Sequence, residues 1–184
     1  MFLILSFYPD GVYIQNSIKM KKLVVFKGKW IFWVGMVFLL PILGGCQDEE
    51  LPEGEIRLSQ IPDNPDYTSL PLIGTTWKLI GFVDEGRNRV KLPEPDGEST
   101  YLLKFNGNGE ISGRTSTNSA YGRYLLGSDG LLEILTFTNT TELNELFDGG
   151  YYIESMNNVF SFVLSQKGLT LYYDSEKPML FQPQ

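Results

Sequence analysis

Apolar and polar residues alternate with a period of two from Gly74 onward, as they do in β-strands that bury one face. Three turn sequences, each containing Gly with Asn, Asp or Ser, divide the alternation and predict β-hairpins at residues 106–109, 127–130 and 165–168. The pattern therefore predicts about eight strands, at 76–82, 101–105, 111–115, 121–125, 131–135, 159–164, 169–173 and 179–181.

One stretch between the second and third hairpins does not alternate. Leu143, Leu146 and Phe147 would share one face of a helix. We expect one or two short helices over residues 141–147 and 151–156, interrupted by the Gly-Gly pair between them. The predicted fold class is mainly β (α+β): a curled or barrel-like antiparallel sheet of about eight strands with one short helical segment. Curling hides the sheet edges, and the helix would close an open end.

The N-terminal region has the pattern of a secretory signal peptide. Five lysines precede an apolar run of about 14 residues, 30–43, and small residues follow it. An uncleaved signal anchor is the alternative, but a preferred spanning helix needs roughly 20 apolar residues. Those lysines are Lys19, Lys21, Lys22, Lys27 and Lys29.

The sequence around Cys46 sharpens this prediction. Leu43-Gly44-Gly45-Cys46 resembles a bacterial lipobox, and Cys46 is the single cysteine of the chain. The resemblance implies that the Cys46 thiol is diacylated, that the signal is cut before Cys46, and that the new amine is acylated. Acyl chains contribute roughly 0.8 kcal/mol per buried methylene, so the predicted membrane partner is the bilayer that holds these chains.

Two further expectations concern the leader. Met20-Lys21-Lys22 is the usual beginning of such a signal, so residues 1–19 are interpreted as an over-extended start. Asp48, Glu49 and Glu50 follow the lipidation site and resemble the acidic export signal of some Gram-negative surface lipoproteins. The predicted location is the outer membrane, facing the cell surface; a periplasm-facing orientation with a merely solvated acidic linker is the alternative.

The chain is accordingly divided into three parts. Residues 1–45 are the over-extended start and signal peptide, residues 46–71 an acidic tether, and residues 72–184 the β domain. The tether holds four prolines, which favour an extended chain. They are Pro52, Pro62, Pro65 and Pro71.

Composition excludes several classes of function. The 184-residue chain has one Cys and no His, which removes Ser-His-Asp and Cys-His catalysis, His-ligated metals and four-Cys clusters. No cofactor loop, EF-hand spacing or other metal motif is present, so no cofactor is predicted. From Cys46 onward ten basic and 21 acidic residues give a net charge of −11, which excludes nucleic acid as a partner.

The β domain resembles the META (HslJ-like) family. The resemblance rests on the opening strand LIGTTWKL at 72–79 and on the central segments 103–113 and 117–124; it extends over residues 72–182. It implies the small β fold of that family but no agreed catalytic residues. Thr117 stands where many members have Cys, so the disulfide that some of them carry is absent here. Lipocalin-like lipoproteins are the alternative.

Three residues are candidates for ligand or partner contacts: Asn118, Tyr124 and Tyr172. Asn118 either provides a polar contact at the mouth of the barrel or holds a turn through hydrogen bonds to the backbone. Exposed tyrosines would stack on sugars, although strand propensity explains them equally. Trp77 is expected to be a core anchor rather than a ligand platform.

The sequence contains two adjacent tyrosine pairs, Tyr151–Tyr152 and Tyr172–Tyr173. Neighbours in a strand point to opposite faces, so one of Tyr172 and Tyr173 is expected to face solvent. Glu142 and Glu145 are candidates for the paired carboxylates of a glycosidase, but a domain of this size rarely builds the cleft that such a pair requires.

The function predicted from the sequence is a non-catalytic binding or assembly module on the cell envelope, with an unknown envelope protein or surface ligand as partner. No enzyme activity is predicted. The alternative is a lipocalin-like carrier of a small apolar ligand, which needs an apolar cavity rather than a filled core. The discriminating observation is whether five aromatic residues pack together or line a void: Trp77, Phe105, Tyr124, Phe160 and Phe162.

Overall fold

Alternating burial of side chains produces a single antiparallel sheet. The computed structural model describes residues 50–140 and 143–184, so Cys46, Asp48, Glu49 and the signal peptide lie outside the described residues. The described residues form ten strands: β1 (Glu55–Arg57), β2 (Thr76–Asp84), β3 (Arg89–Lys91), β4 (Leu102–Phe105), β5 (Glu110–Arg114), β6 (Ser119–Leu126), β7 (Leu132–Asn139), β8 (Ser161–Ser165), β9 (Gly168–Tyr172) and β10 (Pro178–Pro183). One α-helix, α1 (Gly149–Asn157), connects β7 to β8.

Eight of these strands follow one continuous order, β7-β6-β5-β4-β2-β10-β9-β8, and all neighbours are antiparallel. The three predicted hairpins are β4–β5, β6–β7 and β8–β9. The two outermost strands approach each other, because the Leu132 amide donates to the Phe160 carbonyl at 3.2 Å and the Phe162 amide to the Gly130 carbonyl at 2.9 Å. The sheet is thus curled like a barrel, and the predicted fold class is confirmed.

Irregular register contributes to the curl. The pairing shifts between Arg123 and Tyr124 on β6, and again between Leu180 and Phe181 on β10. Such bulges bend the strand that carries them and increase its local twist. A sheet of this many strands needs such bends to close over its own apolar face.

Inward-facing side chains fill the curled sheet. Trp77, predicted as a core anchor, is fully buried and its indole N–H donates to the Leu72 carbonyl at 3.3 Å. Phe105 and Tyr124 belong to the same cluster and meet edge to face, with ring centroids 5.1 Å apart. Phe162 is partly buried against this cluster, whereas Phe160 is exposed. Four of the five discriminating aromatics therefore pack together.

Helix α1 closes one end of the sheet with two fully buried side chains, Tyr152 and Met156. Tyr152 is fully buried, and its ring makes edge contacts with Tyr101 and Phe137 at centroid distances of 5.4 and 5.6 Å. Phe181 of β10 lies 6.4 Å away at a tilted angle. Met156, one turn later on the same helix, is also fully buried. Aromatic burial of this kind dominates the stability of small cores.

The helix differs from the prediction in where it begins. Leu143, Leu146 and Phe147 are not helical, and each is more than half exposed. The Gly pair starts the helix instead of interrupting it. A Cβ at Gly149 would lie 2.2 Å from Ser116 Oγ and 2.4 Å from Glu145 Oε2, so a larger residue here would require both side chains to move out of the Glu145 network. Residues 141 and 142 of the predicted helix lie outside the described residues.

The extended tether predicted for residues 46–71 is wrong from Glu55 onward. β1 pairs with β3, and 3₁₀ helices follow at Leu58–Gln60 and Pro65–Ser69. Ile61 between them is buried against Val83, Val90 and Leu180. The physical reason is that this segment carries apolar side chains that the outer face of the sheet can bury. Pro65 starts a helical turn, where its missing N–H costs nothing.

A side chain covers part of one free sheet edge. Asn157, at the end of α1, accepts from the Phe137 amide at 2.8 Å and donates to the Phe137 carbonyl at 2.8 Å. Its side-chain amide therefore occupies the position of a partner strand on β7. The same nitrogen also donates to the Ile153 carbonyl at 2.9 Å, which fixes it to the helix.

The buried hydroxyl of Tyr152 generates a prediction. Within the part of the chain that the structure describes, this hydroxyl has no hydrogen-bond partner, and burial raises its pKa so that it stays protonated. An unsatisfied buried hydroxyl costs about 1–3 kcal/mol. Tyr152→Phe is therefore expected to increase the free energy of unfolding by about 1 kcal/mol, measured by urea denaturation of the full chain in detergent.

Tyr101→Phe is the matched control for this experiment. The Tyr101 hydroxyl is also in the core but donates to the Glu94 carbonyl. Its removal is expected to lower the free energy of unfolding by about 1 kcal/mol, since a formed hydrogen bond is lost. Destabilisation by Tyr152→Phe as large as that by Tyr101→Phe would contradict the interpretation.

Candidate functional site

A pocket of about 400 Å³ opens at the surface where the end of β2, β3, the start of α1 and the segment after β9 meet. Its volume lies within the range of roughly 300–1,000 Å³ that small-molecule sites occupy. We call it the Tyr151 pocket and define it by six lining residues: Phe82, Arg87, Lys91, Tyr151, Tyr173 and Lys177.

Three aromatic rings form one wall of the Tyr151 pocket. The rings of Phe82 and Tyr151 lie 4.8 Å apart at 55°, and those of Tyr151 and Tyr173 lie 6.3 Å apart at 87°. Tyr151 keeps 42% of its surface exposed, so one part of its ring is free for a ligand. The burial of Tyr152 in the core places its neighbour Tyr151 here, because consecutive helical residues point about 100° apart.

The tyrosine hydroxyls are paired. The Tyr151 and Tyr173 oxygens are 2.8 Å apart, so one hydroxyl donates to the other. Burial raises the pKa of Tyr173, and the hydrogen bond from the Tyr151 side raises it further. Tyr173 is therefore protonated at neutral pH and remains a hydrogen-bond donor.

Four basic residues line this pocket, three of them at the β2–β3 turn and on β3 and one directly before β10. Of the ten Lys and Arg residues after Cys46, four line it: Arg87, Arg89, Lys91 and Lys177. Three of them have carboxylate partners inside the pocket, and Lys91 and Arg89 form the two closer pairs. Lys91 Nζ lies 2.5 Å from Asp148 Oδ1, and Arg89 lies 3.6 Å from Glu55.

The other two cations are less engaged. Arg87 lies 3.8 Å from Asp84, and its side chain is 75% exposed, a geometry in which an ion pair contributes little. Within the described part of the chain, Lys177 has no carboxylate within 4.0 Å. The pocket therefore combines an aromatic wall with two cations that an anion can reach.

Asn118, a predicted contact residue, is buried in a polar network beside the pocket. Its amide donates to the Leu143 carbonyl at 3.1 Å and to Glu145 Oε1 at 2.6 Å. Asn139 also donates to Glu145 Oε1 at 3.0 Å, and the Ser116 hydroxyl donates to Oε2 at 3.0 Å. Asn118 thus holds the loop before α1, which agrees with the structural alternative rather than with an open contact.

Glu145 is the centre of that network, and the hydrogen bonds of the network influence the pKa of its carboxyl group. Burial raises the pKa of Glu145, but the hydrogen bonds that its carboxylate accepts from Asn118, Asn139 and Ser116 outweigh burial and hold the pKa below its usual range. A carboxylate that accepts several hydrogen bonds is stabilised in its charged form.

The remaining predicted contacts lie elsewhere. Tyr124 is buried and its hydroxyl donates to the Asn106 carbonyl at 2.7 Å. The Tyr172 hydroxyl donates to Glu85 at 3.4 Å on a different surface. Glu50 is exposed. The structure therefore does not bring Asn118, Tyr124 and Tyr172 together into one site.

The predicted contact residues Asn118, Tyr124 and Tyr172 do not line the Tyr151 pocket, although two of its lining residues belong to the tyrosine pairs noted in the sequence. The two adjacent tyrosine pairs were singled out, and one member of each, Tyr151 and Tyr173, lines the pocket. The basic cluster was missed because Lys177 lies about 90 residues after Arg87 and Lys91 in the sequence. Only the β2–β3 turn and the segment before β10 bring them to one place.

A second depression, of about 620 Å³, lies at Lys78, Asp96 and the end of β10. Burial lowers the pKa of Lys78, while Asp96 at 3.6 Å acts in the opposite direction. This depression has no aromatic lining residue. It therefore offers fewer contacts to a ring-shaped ligand than the Tyr151 pocket does.

The described residues contain neither a metal-ligand cluster nor a membrane-spanning helix. In residues 50–140 and 143–184, no three His, Cys, Asp or Glu side chains are grouped as metal ligands. Over the same residues, no helix combines the length and the hydropathy that membrane crossing requires.

Comparison with known proteins concerns the fold. No family model matches the sequence, and no curated protein matches it. The chain is similar to a protein from Burkholderia xenovorans solved by NMR, with 23% identity over 67% of this chain and 90% of that one and a TM-score of 0.50. A crystal structure of a DUF4847 family protein from Bacteroides vulgatus matches at 16% identity over 60% of this chain and 93% of that one, with a TM-score of 0.46. The first likeness supports the small β fold alone.

The Glu145 network predicts a dependence of stability on pH. Because the folded-state pKa of Glu145 is depressed, its contribution to stability is present above the unfolded-state pKa and is lost as the pH falls through the folded-state pKa. Glu145→Gln is expected to lower the free energy of unfolding by about 1–2 kcal/mol at pH 7. The difference from wild type should shrink in urea denaturation below about pH 4.

Glu154→Gln is the control, since Glu154 is an exposed glutamate on α1. It should leave stability nearly unchanged at both pH values. A difference between Glu145→Gln and wild type that is the same at pH 7 and pH 3 would contradict the role of the Glu145 charge.

Proposed function

We propose that this protein is a lipid-anchored binding module of the Gram-negative cell envelope, which holds a surface ligand or an envelope partner without catalysing a reaction. The anchor is the acylated Cys46 of the lipobox-like sequence Leu43-Gly44-Gly45-Cys46. The acidic residues Asp48, Glu49 and Glu50 direct the protein to the outer face of the outer membrane.

The observation that carries the binding role is the Tyr151 pocket. It joins an exposed aromatic ring, a hydroxyl pair and two accessible cations within about 400 Å³. Concave sites with an apolar wall and a few convergent polar groups are the usual places where small molecules bind. The absence of His from the sequence and the structural role of Glu145 favour binding over catalysis.

One observation favours the alternative, a carrier of a small apolar ligand. A third depression, of about 400 Å³, is lined mainly by apolar residues of the β6–β7 hairpin and by Phe160. Leu125, Leu131 and Phe160 are each about half exposed there. This depression is open to the surface, whereas the interior of the sheet is filled by Trp77 and its neighbours.

The lipid anchor is tested by Cys46→Ala. Loss of the thiol removes the acylation site, so metabolic labelling with palmitate should no longer label the protein. The variant should still fold, because β1 begins nine residues later and the core contains no cysteine. Wild type is the positive control, and Asp48→Ala, which keeps the thiol, should stay labelled. Label retained on the Cys46→Ala chain would refute the anchor.

Trp77→Ala separates a filled core from a carrier. Removal of a buried aromatic side chain from a filled core is expected to lower the free energy of unfolding by about 3–5 kcal/mol, measured by urea denaturation of the full chain in detergent. In a carrier, loss of a cavity-lining Trp would weaken the binding of a hydrophobic fluorescent probe more than it weakens folding. An unchanged denaturation midpoint with lost probe binding would favour the carrier.

A further inference from the structure

We propose that the Tyr151 pocket binds an anionic sugar, with the sugar ring on Tyr151 and its carboxylate or phosphate at Arg87 and Lys177. This inference rests on the proposed binding function and names the class of its ligand. It follows from the distribution of charge, from the aromatic wall and from the hydroxyl pair of the pocket.

The charge distribution is the first step. The chain after Cys46 carries a net charge of −11, yet four of its ten basic residues line this single pocket. The same lining also holds three carboxylates, Glu55, Asp84 and Asp148, so its net charge is +1. A local excess of positive charge on an otherwise acidic protein attracts anions to that place. The ligand expected here is therefore negatively charged.

The carboxylates of the pocket do not cancel this attraction. Asp148 accepts from Lys91 and, at 2.9 Å, from the Glu94 amide. Asp84 Oδ1 accepts from the Arg87 amide at 3.0 Å, which fixes that carboxylate to the turn. Glu55 is paired with Arg89. Among the described residues Lys177 is thus the lining cation with no carboxylate within 4.0 Å, and Arg87, 75% exposed and 3.8 Å from Asp84, forms the most distant and most exposed of the other three ion pairs.

The aromatic wall favours a ligand that contains a ring. Tyr151 is 42% exposed, while Phe82 is buried behind it and Tyr173 stands at its edge. Because Tyr151 is held from two sides, its exposed surface is fixed before a ligand arrives. A rigid ring costs little conformational entropy when a flat or chair-shaped ligand packs on it.

The paired hydroxyls favour a ligand that carries several hydroxyl groups. Each tyrosine hydroxyl can donate one hydrogen bond and accept two, so the Tyr151–Tyr173 pair leaves one O–H donor and several acceptor positions unused. Sugar hydroxyls both donate and accept and therefore match this pair. An aliphatic or aromatic acid without hydroxyls would satisfy the cations but would not use the remaining donor and acceptor positions of the Tyr151–Tyr173 pair.

The test uses the full chain purified in a detergent without a sugar headgroup. Binding of glucuronic acid, glucose 6-phosphate and glucose is measured by isothermal titration calorimetry at low salt. Both anionic probes share the inferred chemistry, and the comparison between them shows whether a carboxylate or a phosphate is preferred. We expect at least one of them to bind tenfold or more tightly than glucose.

Variants then locate the binding. The pair Arg87→Gln and Lys177→Gln should weaken binding of the anionic probe at least tenfold, and Tyr151→Ala should weaken it by a similar factor. The matched control is Arg114→Gln with Arg123→Gln, which removes two exposed cations of β5 and β6 that are not among the lining residues. This control should bind like wild type.

Each other outcome overturns the inference. Equal loss in the control pair would show a general charge effect. Binding of glucose as tight as that of the anions, lost in Tyr151→Ala, would remove the requirement for charge while leaving the pocket as a binding site. No binding of any of the three sugars would exclude this ligand class, whereas the anchored-module proposal is decided separately by palmitate labelling of Cys46→Ala.

Discussion

The burial of the Tyr152 ring is the constraint on which the rest of the structure depends. It fills the end of the curled sheet against Tyr101, Phe137 and Phe181, and thereby sets the position and rotation of α1. The helix in turn places Tyr151 on the outside against Phe82. A single helical step thus separates a core residue from a surface residue, so the packing of the interior determines the shape of the pocket.

Much of the fold could be predicted because its signals are local. Gly- and Asn-containing turns specified the hairpins, and alternation specified the inward face that contains Trp77. β1 and β3 were missed because three residues are too few to show alternation, and all three residues of β1 are half-buried. The start of α1 was misplaced because Gly149 is required by contacts with Ser116 and Glu145, which lie in another part of the structure.

The candidate site was less predictable for a related reason. A tyrosine pair is visible in a sequence, but the approach of Arg87 and Lys177 depends on a turn and a strand end that are 90 residues apart. Asn118 shows the opposite case. It was noticed because of its position, yet its side-chain nitrogen donates to the Leu143 carbonyl and to Glu145, both in the loop that precedes α1. A polar residue that resembles a ligand contact in the sequence can therefore be one that holds a loop of the fold in place.

The side chain of Asn157 has a consequence for how this protein behaves when it is concentrated. Exposed strand edges recruit the edges of other molecules, and in a curled sheet that is not fully closed the outward groups of β7 are such an edge. The Asn157 amide donates and accepts at Phe137 as a neighbouring strand would. The side chain of Asn157 thus occupies hydrogen-bonding groups of β7 with which another strand edge would otherwise pair, and the helix that shapes the pocket also holds this side chain in place.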